Sequence, residues 1–262
     1  MATPNRWAIR DAGKASFFDL VTGKAIVTLD TLKTTGVETT GETVYAQGGE
    51  GNVRVVGFSS NRQARLSLQD CVFDNSAVAM LTGNNLATGK KEVYKSPEVG
   101  TVTSAKITLT KTPKGAIVSV FKRNTDGTNG EEYTLGTPAT NAKEYSVNGK
   151  ELTFHNSVTN DTKFNIYYKY ETDSTARSVK VTSDKFGGTF KVVVDVLVRD
   201  VETKADFKGQ IIVPNAKFED NFNISLAADG DPAVLDLNME VLKAPASTDM
   251  WELVIFDDSL AV

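Results

Sequence analysis

One cysteine and one histidine stand among the 262 residues. Cys71 alone cannot form an intrachain disulfide, which excludes a small secreted fold held by such bonds. His155 alone rules out a zinc site that needs several Cys or His ligands. Any Ser-His-Asp or Cys-His centre would depend on that single imidazole. It sits in "ELTFHN", where strand alternation places it opposite Phe154, on a solvated face. No apolar run reaches the roughly 18 residues that a spanning helix needs. "MATPNRWAIRDAG" shows no apolar secretory region. These absences predict assembly in the cytoplasm with no membrane partner. Basic charge is scarce too: 29 Lys and Arg face 33 Asp and Glu, a net charge of −4. That balance gives no reason to expect tight binding to nucleic acid. The densest basic stretch, "ATGKKEVYK", sets Lys90, Lys91 and Lys95 around one aromatic, Tyr94, and Glu92 interrupts it.

Glycine clusters in "AQGGEGN", at Gly48, Gly49 and Gly51. A phosphate-binding P-loop requires a following Lys-Ser or Lys-Thr and a helix. Here Asn52, Val53 and Arg54 follow, and they open a strand. A dinucleotide fingerprint would need its third glycine where Arg54 stands. The glycines read instead as a turn or hinge between an exposed arm and a sheet, at positions needing positive φ. "DGDP" resembles the start of a calcium loop, with Glu240 at the twelfth position from Asp229. Ala233 and Val234 occupy the places of a ligand and of the required glycine, so Gly230 is expected in a hairpin turn. Adjacent carboxylates, Glu131 with Glu132 and Asp257 with Asp258, point to opposite faces of a strand and cannot converge as acid and base. Cys71 adjoins a predicted helix start, which lowers a thiol pKa, but a small buried apolar role is the expectation. No catalytic, cofactor or metal site emerges, and no enzyme activity is expected.

What the chain has in quantity is alternation of apolar and polar residues, the strand period. "KAIVTLDTL" is one strand. "KTTGVETTGETVY" after it reads as a long exposed hairpin arm. Its first part, Lys33, Thr34, Thr35, Gly36, Val37, Glu38, Thr39, Thr40 and Gly41, is the candidate inter-subunit arm. "NVRVVGF" and "QARLSLQD" are two strands joined by a turn at "SSNR". One short helix of about two turns is predicted at Ala77 to Leu81. Asp74, Asn75 and Ser76 are its candidate N-caps, and Gly83 is its C-terminal stop.

Between residues 101 and 170 the texture becomes rich in Thr, Lys and Asn, with short strands at regular spacing. Asn148-Gly149 predicts a type I′ hairpin turn. This stretch predicts a small immunoglobulin-like sandwich inserted into a discontinuous domain. The division is 1–98, 99–170 and 171–262. In the last part, "GGTFKVVVDVLVRD" is expected to be buried on both faces, with Phe190, Val192, Val194, Leu197 and Val198 in its run. Pro214 is expected at an edge or bulge. Phe222, Ile224 and Leu226 are expected to form a hairpin with Leu235, Leu237, Met239 and Val241, and "MWELVIFDD" a final strand. The fold class is all-β.

The flanks "VYAQGGEGNVRVVGFSSNRQARLSLQDCVFDNSAVAMLTGN" and "IIVPNAKFEDNFNISLAADGDPAVLDLNMEV" together resemble bacteriophage tail tube proteins. The resemblance implies a β-sandwich or half-barrel of tube type with one flanking helix. It further implies hexameric rings that stack through the long loop and the termini, with residues 189–200 helping to line a barrel through which DNA slides without specific binding. Partners would be further copies and other tail proteins, and the location the virion tail. Two alternatives stand beside it. One is a head decoration or capsid-associated protein. The other is a carbohydrate-binding module using Tyr167, Tyr168 and Tyr170.

Overall fold

A computed structural model describes residues 3–224, 232–244 and 247–257. The chain divides into two compact units, one comprising Met1–Leu86 with Val179–Val262 and the other Ala87–Ser178.

The discontinuous unit begins with β1 (Trp7–Asp19), β2 (Ala25–Leu29), β3 (Leu32–Gly48), β4 (Val53–Asp70) and α1 (Asn75–Thr82). The inserted unit follows with β5 (Ala87–Thr88), β6 (Glu92–Thr101), β7 (Lys106–Thr108), β8 (Ser119–Arg123), β9 (Asn129–Leu135), β10 (Glu144–Asn148), β11 (Glu151–Phe154), β12 (Lys163–Glu171) and β13 (Arg177–Ser178). The first unit is then completed by β14 (Thr189–Asp200), β15 (Asp206–Phe218), β16 (Leu235–Val241) and β17 (Glu252–Phe256). The protein is mainly β with one short helix among the described residues.

One antiparallel sheet, in the order β2-β1-β14-β15-β16-β4-β3, makes the discontinuous unit. It curls until β1 and β3 approach one another. Its concave face buries Phe17, Leu66, Leu68, Val192, Val194, Phe218, Leu237 and Met239. Phe17 stacks on Phe218 at 5.9 Å, and Phe190 meets both rings edge-on. Helix α1 adds Ala77, Met80 and Leu81 to this core. Asp74 is its N-cap: the carboxylate accepts from Ser76 N at 2.7 Å and Ala77 N at 3.1 Å. Gly83 ends the helix at φ +66°, and the Met80 carbonyl accepts from both Gly83 N and Gly188 N.

Several sequence expectations are corrected. "SSNR" is no turn, because β4 runs unbroken through it. Its polar residues mark a bulge instead, with Asn61 at φ +50°. β14 buries only one face: Val192, Val194, Val196 and Val198 point inward, while Lys191, Asp195 and Arg199 are exposed. The two-residue turn after β10 is Gly149-Lys150, not Asn148-Gly149, since Asn148 still pairs with Glu151. Only Gly149 has positive φ, the II′ rather than the I′ pattern. Phe222 and Ile224 lie outside any strand, and β16 pairs with β4 and β15 instead. Cys71 is exposed, its thiol donating to the Thr31 carbonyl at 3.0 Å.

Pro214 sits at a β15 bulge, where the strand changes neighbour from β17 to β16. In β1 a bulge between Arg10 and Lys14 carries Gly13 at φ +70°.

The larger sheet of the inserted unit holds seven strands in the order β6-β12-β8-β9-β10-β11-β7, and β5 pairs with β13. Its third strand pairs with the fourth and seventh, whereas in an immunoglobulin domain the third pairs with the sixth. Tyr133, Phe154, Phe164 and Tyr168 dominate its core. Inside that core Tyr168 donates to the Glu98 carboxylate, which also accepts from Thr110 N and Oγ1 at 2.8 and 2.9 Å. A buried carboxylate is tolerated because every bond it makes is to a donor.

Candidate assembly surfaces

β3 and β4 pair along their whole length, but β16 covers β4 only from Ala64 to Asp70. Beyond Ala64 the two strands run on as a bare ribbon. The ribbon leaves the sheet at a bulge where Gly41 faces Asn61 and Arg62. From there to Gly48 it extends roughly 25 Å, at the usual rise per residue.

Paired residues of an antiparallel ladder share a face. One face of the ribbon therefore carries Val44 with Phe58 and Ala46 with Val56, closed by Val53 opposite Gly48. Val44 and Phe58 are each 63% exposed, and Val55, bulged between two pairs, is 67% exposed. On the other face Tyr45 lies across Gly57, and the Arg54 guanidinium sits 4.3 Å above the Tyr45 ring. A ribbon of two strands with an apolar face in water is marginal without a partner surface.

The glycines Gly48, Gly49 and Gly51 occur at the far tip of this ribbon and not at its root. Gly49 and Gly51 have φ of +81° and +80°, and a Cβ at either would meet nothing. Conformation, not space, selects glycine there. Among the candidate arm residues, Lys33 to Thr40 lie at the root, where Val37 packs on the core. Thr39 accepts a 3.0 Å hydrogen bond from the Trp251 indole. Gly41 is the joint itself. Gly230 and the acidic pair around it, Asp229 and Asp231, lie outside the described residues.

The sequence reading missed the ribbon's apolar face. Alternation in "NVRVVGF" reveals a strand, but not that no sheet lies beneath it.

The sheet also has open edges. β2 covers β1 only over Ala15 to Phe18, so Trp7 to Arg10 pair with β14 alone and leave Trp7 and Ile9 exposed. β3 at the opposite end, and β17, each pair on one side only among the described residues.

No cluster of three His, Cys, Asp or Glu side chains able to hold a metal occurs among the described residues. Tyr168 has no exposed surface and cannot serve as a sugar platform, and Tyr167 packs edge-on against Phe121. His155 hydrogen-bonds Ser157 beside it. No helix among the described residues is long and apolar enough to cross a membrane.

Open strand edges and a projecting apolar ribbon are features of a β-structured assembly subunit. Residues 7–253 match the YomU/Tube protein family, and the chain belongs to it. That family is one of phage tail tube proteins, structural components of the tail rather than a known class of enzyme. No curated protein matches the chain.

Proposed function

We propose that this protein is the subunit of a tail tube, closing into rings, six copies to a ring, that stack into a conduit for DNA. The observation that carries the reading is the β3–β4 ribbon, whose exposed Val44, Val55 and Phe58 need a second surface. Within a ring, the open edge of β1 would pair with the opposite edge of a neighbour's sheet, extending the hydrogen-bonded ladder. Between rings, the ribbon would rest on a neighbouring copy. A matching apolar surface lies beside α1, where exposed Ile26 and Phe186 flank a groove of about 460 Å³.

The outer face of β14 and β15 suits a lumen. Asp195 accepts from Gln210 at 2.8 Å, and Arg199 holds Asp206 through bonds of 2.5 and 2.7 Å. Mutually satisfied charges of both signs give a passing phosphate backbone no sustained attraction. Assembly would occur in the host cytoplasm, before the tail joins the virion.

Electron microscopy of the purified chain, alone and with a tail initiator, tests the proposal. Rings or tubes are expected. A species that stays monomeric at high concentration under both conditions overturns it, and antibody labelling of heads instead of tails would transfer the protein to the capsid.

A further inference from the structure

The inserted unit differs electrically from the rest of the chain. It has thirteen Lys and Arg against ten Asp and Glu, whereas the remainder has sixteen against twenty-three. The unit is thus net +3 on a chain of net −4. Part of that excess gathers at one cleft of about 370 Å³, formed by the loop after β7, the β10–β11 turn and the end of β12. Lys111, Lys114 and Lys150 ring it, and all three are exposed.

The loop that carries two of these lysines is anchored at several residues. Leu109 N donates to Lys150 O, Thr110 N and Oγ1 donate to Glu98 while the Thr110 carbonyl accepts from Lys150 Nζ, Lys111 N donates to the Tyr168 phenol, and Lys114 N donates to Lys169 O. The buried Glu98–Tyr168 pair therefore fixes the backbone that carries Lys111, while the Lys114 ammonium stands 3.4 Å from Glu171 and the Lys150 ammonium 3.4 Å from the Thr110 carbonyl. Positions fixed in advance reduce the ordering cost of binding.

The remaining walls narrow the ligand. Pro113 bridges to Tyr170, giving one apolar side. Glu171 lies at the rim, and its hydrogen bonds from Lys90 and Lys114 hold its carboxyl below the usual range. That ionised group repels an unbroken row of phosphates and accepts from hydroxyls. Tyr170 is the cleft's one aromatic, too few for the stacked platforms that single-stranded nucleic acid uses.

We propose that this lysine cleft of the inserted unit binds a polyol or sugar phosphate, as a free group or as the repeat of a phosphodiester polymer. Lys111, Lys114 and Lys150 hold the phosphate, Glu171 accepts from a neighbouring hydroxyl, and the carbon chain lies along Pro113 and Tyr170.

Calorimetric titration of the full chain with glycerol 3-phosphate, poly(glycerol phosphate), polyphosphate and single-stranded DNA tests this. Binding of one or both glycerol probes is expected. Tighter binding of the polymer identifies a polymer repeat, and equal binding per phosphate identifies the free group. The K111A/K114A/K150A variant should lose at least about tenfold in affinity, equivalent to one lost charged contact or more. Lys163→Ala, at the far end of β12, should bind like the parent. Unchanged melting of the triple variant shows that its fold is kept. No binding of either glycerol probe, equal loss with Lys163→Ala, or tighter binding of polyphosphate or DNA would each overturn the proposal.

Discussion

The phenol of Tyr168 meets the carboxylate of Glu98 at 2.5 Å within the inserted unit's core, seventy residues apart in sequence. The contact joins β12 to β6 and, through Thr110 and Lys111, to the loop between β7 and β8. Tyr168→Phe removes the donor and leaves both Glu98 and the Lys111 amide short of a partner. It should lower the stability of that unit by about 1–3 kcal/mol. Denaturant unfolding followed by aromatic fluorescence checks this.

The same phenol makes stability sensitive to alkali. Burial first, and then the hydrogen bond to Glu98, push the Tyr168 pKa above its ordinary value. Burial likewise raises Tyr133 and Tyr145. A phenol whose pKa is raised on folding contributes fully below its unfolded value and loses that contribution as pH rises through the folded one. Melting of the inserted unit should thus hold steady up to about pH 10 and fall above it. In Tyr168→Phe the fall should be shallower.

Gly13 should not tolerate a side chain. A Cβ there would stand 1.6 Å from the Asp195 carbonyl oxygen, and the backbone is left-handed as well. Gly13→Ala should cost the discontinuous unit at least about 2 kcal/mol, through strain and disruption of the β1–β14 pairing. Thermal melting of the purified variant gives the number. Gly23→Ala, at a positive φ with open space around it, should cost less than Gly13→Ala.

The ribbon's apolar face should matter to assembly and not to folding. V44S/F58S changes two exposed residues, so the monomer should melt within about 0.5 kcal/mol of the parent. Each side chain contributes about 1.5–3 kcal/mol when covered. The concentration needed for assembly should therefore rise more than tenfold, at about 1.4 kcal/mol per factor of ten. Light scattering against concentration measures it, and an unchanged threshold would remove the ribbon from the interface.

Gly49→Val should behave similarly for another reason. Its φ of +81° is costly for a branched residue, by about 1–2 kcal/mol. The strain falls on a ribbon tip that can open without the core. Amide exchange should quicken from Val44 to Phe58, with little change in β14 or β15.

Local signals in the sequence translated well into structure. Asp74 and Gly83 bracket α1 because capping is decided within a few residues. Period-two alternation located β7 to β12 to within a few positions. What failed depends on how far a neighbouring strand reaches. The apolar residues of β4 look alike on either side of Ala64, yet the inner ones are buried and the outer ones exposed because β16 stops there. "SSNR" looked like a turn because a bulge and a turn use the same small polar residues. The apolar run in β14 suggested two buried faces, but Lys191, Asp195 and Arg199 interrupt it on one of them. The lysine cleft was illegible because Lys150 reaches Lys111 only through the fold.

The two ends of the large sheet are not alike: β2, which leaves part of the β1 edge uncovered, lies at one and β3 at the other. If one end pairs with the other end of a neighbour, each copy still presents a free end, and such head-to-tail pairing is directional. In the proposed ring, growth by that contact would stop when the last copy meets the first. The angle between the two edges would then count the subunits in the proposed circle, and a small change in the curl of one sheet would change the bore of the proposed channel.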